Sequence, residues 1–286
     1  MANPSLAMIP SGFKATKLYS VLPDDGTGDF TVARNSVATR VNSDGLIEEV
    51  GVNVPRLDYT DGGCPVLLTE PQSTNLATYS EDFSQWGLDS NLTLLLNQTI
   101  SPNGLQTADN ITYVGGLGNP NSKQIQDVIT VSGGTSEKDF TLSIYIKGSG
   151  NFRIKNTQAG VQDNYSSNFT ATNEWVRYDY HVLNQAGGTG AQIASILAST
   201  NDDAFDLDIW GAQLEELSYP TSYIKSEGST VTRLQDEVTV STGGLTPTVT
   251  RIVETIDGIE QTPITVIPST YTVPDGNINK IIMDDQ

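Results

Sequence analysis

DFTLSIYIKGSGNFRIKN, residues 139–156, alternates apolar and polar side chains on both sides of a glycine pair. Side chains of a strand point to opposite faces in turn, so Phe140, Leu142, Ile144 and Ile146 share one side and Thr141, Ser143, Tyr145 and Lys147 the other. Beyond Gly148-Ser149-Gly150, which reads as a turn, Phe152 and Ile154 oppose Arg153 and Lys155. EWVRYDYHVL, residues 174–183, repeats the pattern: Val176, Tyr178, Tyr180 and Val182 oppose Trp175, Arg177, Asp179 and His181. Three consecutive strands thus carry one apolar face and one polar, partly aromatic face.

Working outward, the same texture predicts strands at 92–99, 106–113, 123–131, 139–147, 151–156, 174–183, 191–198 and 205–213. SPNG, GGLGNP, SGGTSE, GSG and QAGGTG separate them with turn chemistry. Eight strands at this spacing and no long amphipathic helix predict an all-β chain whose centre, residues 75–235, is a two-sheet jelly-roll sandwich. Residues 1–74 hold short apolar pulses closed by turn signals such as Asn42-Ser43-Asp44-Gly45 and read as an extended arm with a β-meander. Residues 236–286 are β-branched pulses broken by Gly243-Gly244, Asp257-Gly258 and Asp275-Gly276, a small hairpin segment. Neither end offers a core of its own, so both are expected to finish folding against a neighbour, and a homotrimer is expected.

Composition narrows the partners. The chain has 15 basic and 34 acidic residues among 286, a formal charge of −19 spread along its length. Such a balance argues against nucleic acid or an anionic membrane, since both are bound through basic surface. The single cysteine, Cys64, excludes an intramolecular disulfide and a multi-thiolate metal cluster within the chain, and it reads as a small buried residue. MANPSLAMIPSG shows no basic stretch leading into an apolar one, so synthesis in a cytoplasm is expected.

The polar side of the three strands is the candidate ligand surface. Tyr145, Arg153, Lys155, Trp175 and Arg177 combine aromatic platforms with cationic donors, the pairing that suits a sugar ring and its hydroxyls. A solvated sheet face is the plain alternative. Trp86 and Trp210 read as core. His181 is the sole histidine and no nucleophile motif accompanies it, so the chain is expected not to be an enzyme. Arg34, Arg40 and Arg56 read as anchors of the amino-terminal region, because guanidinium holds carboxylates and carbonyls in fixed geometry.

ARNSVATRVNSDGLIEEV, VPRLDY and CPVLLTEPQSTNLATYSEDFSQW, within residues 33–86, resemble a leader on virion proteins of tailed bacteriophages. DIWGAQLEELSYPTSYIKSEGSTVTRLQDEV, residues 208–238, resembles the end of the lectin-like sandwich that follows such leaders. The resemblance spans roughly residues 9–238. It implies a head-fibre or tail-fibre subunit in the virion with a carbohydrate-binding-like domain, other virion proteins as partners and host-surface glycans as ligands. A purely structural decoration protein and a capsule depolymerase are the alternatives. Lectin-like modules of this kind also imply a structural calcium near the first and last strands, for which Asp82, Asp206 and Asp208 are the candidate ligands.

Overall fold

A computed structural model of the chain describes residues 4–116, 123–131, 137–159, 163–184, 191–200 and 203–285. The turns read at 117–120, 132–136 and 185–190 lie outside the described residues. The chain is all-β, with one short 3-10 turn at Phe83–Gln85 among the described residues. It divides into two compact units: residues 73–232, and residues 1–72 together with 233–286.

Residues 73–232 form the sandwich. One sheet runs Val176–Asn184, Lys138–Gln158, Phe205–Glu215, Ala108–Tyr113, Leu92–Thr99; the other contains Gln124–Thr130, Ala191–Ala198 and again Lys138–Gln158. The long strand therefore serves both sheets. Residues 141–150 pair with Phe205–Glu215, and residues 152–158 pair with Ala191–Ala198. Gly148-Ser149-Gly150 does not reverse the chain, as its composition predicted, but bends a continuous strand from one sheet into the other. The bend needs glycine. Gly148 and Gly150 have φ of 134° and 103°, and a Cβ on Gly148 would meet Asp206 O at 2.1 Å.

Alternation places the inner face where the sequence puts it. Phe140, Leu142, Ile144, Ile146, Phe152 and Ile154 are all buried in one core with Ile111, Ile125, Ile196 and Leu207. Asn156 follows in the same phase, and its Nδ2 donates to Phe140 O at 2.9 Å and Tyr180 O at 3.0 Å, tying the two halves of the sandwich. In Phe205–Glu215 the phase changes once. Phe205, Leu207 and Ile209 face the core, then a register shift at Gly211, φ 68°, turns Ala212 and Leu214 inward instead. Trp210 is fully buried, yet on the outer side, where its ring packs 5.7 Å from Tyr145 and 4.4 Å from Tyr223. Trp86 is in the core, and its Nε1 donates to Tyr79 O.

The second unit corrects the three-segment division at 1–74, 75–235 and 236–286. Glu237–Ser241 lies between Phe30–Ala33 and Thr270–Thr272, and Gly276–Asp284 pairs with Leu6–Met8, Val66–Thr69 and Arg251–Ile256. The two chain ends interleave strand by strand. They share a core of Leu6, Met8, Phe30, Val32, Leu67, Val238, Val240, Ile252, Ile281 and Met283. Each segment lacks a private core because it holds half of a common one, which removes the reason for expecting a trimer from these segments.

Inside this unit lies a buried ion cluster. Arg34 Nη1 is 2.7 Å from Asp236 Oδ1, and Arg56 bonds both Glu70, at 2.7 Å, and the second oxygen of Asp236. Arg233 lies 3.4 Å from Glu70 and donates to Pro71 O. Arg34 also donates to the carbonyls of Ser36, Gly51 and Val54. Burial pulls Arg56 down, and Glu70 and Asp236 together outweigh it, leaving that guanidinium above its ordinary range. Arg40 is the more exposed anchor, bonded to Glu48 and to Leu57 O. Cys64, read as buried, is exposed, because Gly62-Gly63 carries it out on a turn.

Two predictions follow from these contacts. Asp236→Ala strips a shared counter-ion from buried guanidinium groups and should cost about 3–5 kcal/mol, while Arg40→Ala should cost about 1 kcal/mol or less, both read by urea unfolding. Gly148→Ala forces a side chain into the backbone of residues 206–207 and should destabilise the sandwich by about 3 kcal/mol or more in the same assay. Equal losses for Asp236→Ala and Arg40→Ala, or a Gly148→Ala protein with wild-type stability, would contradict these assignments.

Candidate functional site

The bend at Gly148 decides which candidate residues can act together. Tyr145 lies on the half of the long strand that pairs with Val176–Asn184, where Arg177 sits directly opposite it and Trp175 just precedes the strand, whereas Arg153 and Lys155 lie on the half that pairs with Ala191–Ala198. Both halves turn their apolar residues into the same core, so their polar faces look away from each other. The five-residue site is therefore not assembled. It separates into two faces.

On the first face most of the polar groups are used internally. Arg177 donates to Thr221 O at 2.6 Å and Ser143 Oγ at 2.9 Å, with its guanidinium 5.4 Å from the Tyr145 ring. Thr141 and Ser143, read as outward, are fully buried because residues 217–224 fold over them. That cover is fastened by side chains from both ends of the sandwich. Asn75 Nδ2 donates to Ala212 O and Ile224 O, Gln213 Oε1 accepts from Ile224 N, and Ser73 Oγ donates to Glu215. Tyr145 and Arg177 are thus parts of an aromatic clamp with Trp210 and Tyr223. Trp175 is partly buried: its Nε1 donates to Ile100 O at 3.0 Å, and Lys147 Nζ lies 5.0 Å from its ring.

The calcium set also comes apart. Asp82 caps the 3-10 turn, accepting from Ser84 N and Ser84 Oγ. Asp206 and Asp208 share the Asn110 amide, at 2.8 and 3.0 Å, and Lys147 Nζ lies 3.8 Å from Asp208. An amide and an ammonium thus sit where a cation would be held. Among the described residues no group of three or more His, Cys, Asp or Glu could hold a metal. His181 Nε2 lies 2.6 Å from Asp139 on the exposed outer strand.

The second face is different. Lys155 is paired in register with Tyr165, so both project outward beside Arg153. The Arg153 guanidinium lies 4.8 Å and Lys155 Nζ 5.7 Å from the Tyr165 ring centre. Asp163 fixes the assembly, 2.9 Å from Lys155 Nζ and accepting from Tyr165 Oη at 2.8 Å. Burial, then the Asp163 hydrogen bond, push the Tyr165 phenol up to about 12, so it stays a donor. Two strands away, about 10 Å, the partly buried Gln124 and Gln126 lie opposite Leu197 and Ser195, which are fully buried and close the floor. Among the described residues Arg153 has no hydrogen-bond or ion-pair partner, and its Nε is buried without one. Nothing local in the sequence marked Tyr165, Gln124 or Gln126 as neighbours of Arg153; the pairing across three strands does.

No protein-family model matches the chain, and no curated protein matches it. Among solved structures it is similar to TmCBM61 in complex with beta-1,4-galactotriose, at 13% identity over 49% of this chain and 97% of that one, with a TM-score of 0.33. It is also similar to a CBM22-1 xylan-binding domain from Paenibacillus barcinonensis, at 12% identity over 52% and 94%, TM-score 0.34. A third is the enzymatically active domain of tailspike protein 4 of bacteriophage CBA120, at 13% identity over 47% of this chain and 20% of that one, TM-score 0.28. Likenesses this weak speak to neither ligand nor partner.

The contacts on the two faces give separate expectations. Trp175→Ala loses a half-buried ring and its bond to Ile100 O, and should lower stability by about 1–3 kcal/mol with weaker amide protection in residues 97–107, read by hydrogen exchange. The Lys155 hydrogen bond, with help from Tyr165 Oη, holds the Asp163 carboxyl below its ordinary 3.8. A depressed carboxyl stabilises the fold above its unfolded pKa and loses that effect as pH falls. The stability gap between wild type and Asp163→Asn should therefore be full at pH 7 and close as pH drops below 3.8; a gap that widens there would contradict the pairing.

Proposed function

We propose that the chain is a non-catalytic virion protein of a tailed phage whose β-sandwich contacts host-surface glycans through the face bearing Arg153 and Tyr165. The observation that carries the glycan part is the Arg153 guanidinium: it lies over the Tyr165 ring, has no hydrogen-bond or ion-pair partner among the described residues, and is only partly buried, on the same face as planar amides. Sugar recognition uses these elements, a π-face for the ring and fixed planar donors and acceptors for the hydroxyls. The virion part rests on the resemblance of the two terminal motifs. Their shared role in fastening residues 73–80 to residues 212–226 is consistent with one inherited module. A homotrimer on the particle belongs to the same reading, because a shallow single site gains adsorption strength from several copies.

A glycan array with purified protein, followed by adsorption to host cells, tests the reading. Tyr165→Ala should lose binding at least tenfold while its melting temperature stays within a few degrees of wild type. Trp175→Ala, on the opposite face, should keep it. Protein that binds no glycan, or a Tyr165→Ala variant that binds as wild type does, would overturn the assignment. Mass spectrometry of purified particles should find the chain, and its absence from them would remove the virion role.

A further inference from the structure

We propose that the sugar read at Arg153 is acidic, a pyranose bearing a carboxylate of the hexuronate kind; this rests on the glycan-contact reading of the same face. The starting point is how the other arginines are satisfied. Arg34, Arg40, Arg56, Arg233 and Arg251 each pair with a carboxylate, and Arg177 donates to a carbonyl and a hydroxyl. Arg153 alone among the described arginines has neither, in a chain with 34 carboxylates to choose from.

Asp163 is the near candidate and does not take the role. Both of its oxygens are engaged elsewhere, one on Lys155 Nζ at 2.9 Å and the other on Tyr165 Oη at 2.8 Å. The pairing has two effects. It locks the Tyr165 ring in place as the plate on which Arg153 lies, and it spends the negative charge on Lys155. Two cations against one anion leave the cluster with an excess positive charge inside a strongly acidic protein. Arg153 Nε is buried against the protein, and the two terminal nitrogens have no hydrogen-bond or ion-pair partner among the described residues. A planar fork of two parallel N–H donors matches the two oxygens of a carboxylate, and stacking has already removed most of the side chain's freedom.

Neutral sugars would meet the same fork with hydroxyls, which carry no charge and give weaker, neutral hydrogen bonds. The carboxylate is the group that both fills the geometry and discharges the cluster. A sulfate ester can also present two oxygens to the fork, but its charge is spread over three oxygens on a tetrahedral centre, which makes it the weaker acceptor for a planar guanidinium.

The experiment uses the full-length protein and matched oligosaccharides that differ only at C6, uronate against hexose, with a sulfated oligomer of equal charge as a third probe. The expected result is at least tenfold tighter binding of the uronate than of the hexose, with the sulfated oligomer bound less tightly than the uronate. Arg153→Gln should abolish the preference, bringing the uronate down to whatever level the same variant shows for the hexose. Arg153→Lys, which keeps the charge but not the fork, should recover less than half of the preference in logarithmic terms. Equal binding of uronate and hexose by wild type, or preference for the sulfated oligomer, would overturn the acidic-sugar inference while leaving the glycan face standing. Absence of binding to all three would overturn both. An Arg153→Gln protein that keeps the uronate preference would place the carboxylate elsewhere and overturn the role of Arg153.

Discussion

The carbonyl oxygen of Asp206 lies 2.1 Å from where a Cβ on residue 148 would have to be, too close for any side chain. That close approach lets one strand leave one sheet and enter the other without breaking. Because Lys138–Gln158 runs through the bend, its apolar phase is kept on one side for its whole length, and a single core serves both sheets. The same bend sends the polar phase to opposite exteriors. The candidate site depends on this bend: Tyr145 and Arg153 are eight residues apart on one alternation series, yet they serve different faces.

In the other unit the organising term is electrostatic. Arg34, Arg56 and Arg233 are nearly inaccessible to water, and a guanidinium cannot shed its proton to escape burial. The carboxylates of Glu70 and Asp236, with carbonyls from residues 36, 51, 54 and 71, are what make that burial tolerable. Glu70 and Asp236 come from opposite ends of the unit's sequence. The cluster therefore ties residues 34–70 to residues 233–236 and reports on whether the interleaved strands are in register. An apolar replacement of similar volume could match its stability, so register is the better account of its presence.

Much of the sandwich is legible in sequence because period two is a local property. The inward residues of 139–156 and 174–183 can be picked from alternation alone, and the strands at 92–99 and 191–198 have the boundaries their turn signals set. Long-range consequences are not local. Gly-Ser-Gly carries the same composition whether a chain reverses or bends, and only the neighbouring backbone at 204–207 distinguishes the two. Thr141 and Ser143 look solvent-facing, yet they are covered by residues that follow them by more than seventy positions. The interleaving of residues 30–33 with 237–241 is invisible for the same reason. Arg34 and Arg56 could be read as anchors from side-chain chemistry, while their partner Asp236 sits in a stretch whose only signal was its resemblance.

The candidate site shows where such reading stops. Aromatic and cationic residues opposite an apolar face were enough to nominate five positions, and the nomination treats each one as free to bind. Freedom is decided by what else is within reach. Arg177 meets Thr221 and Ser143 and becomes part of the frame; Trp175 gives its N–H to Ile100 O; Lys147 sits between a tryptophan ring and an aspartate. Among the described residues Arg153 has an aromatic ring beneath it and no hydrogen-bond or ion-pair partner, because the acid beside Lys155 is held by Lys155 and Tyr165. A side chain fixed in position with its donors unspent is what separates a surface able to recognise a ligand from one that has already satisfied itself.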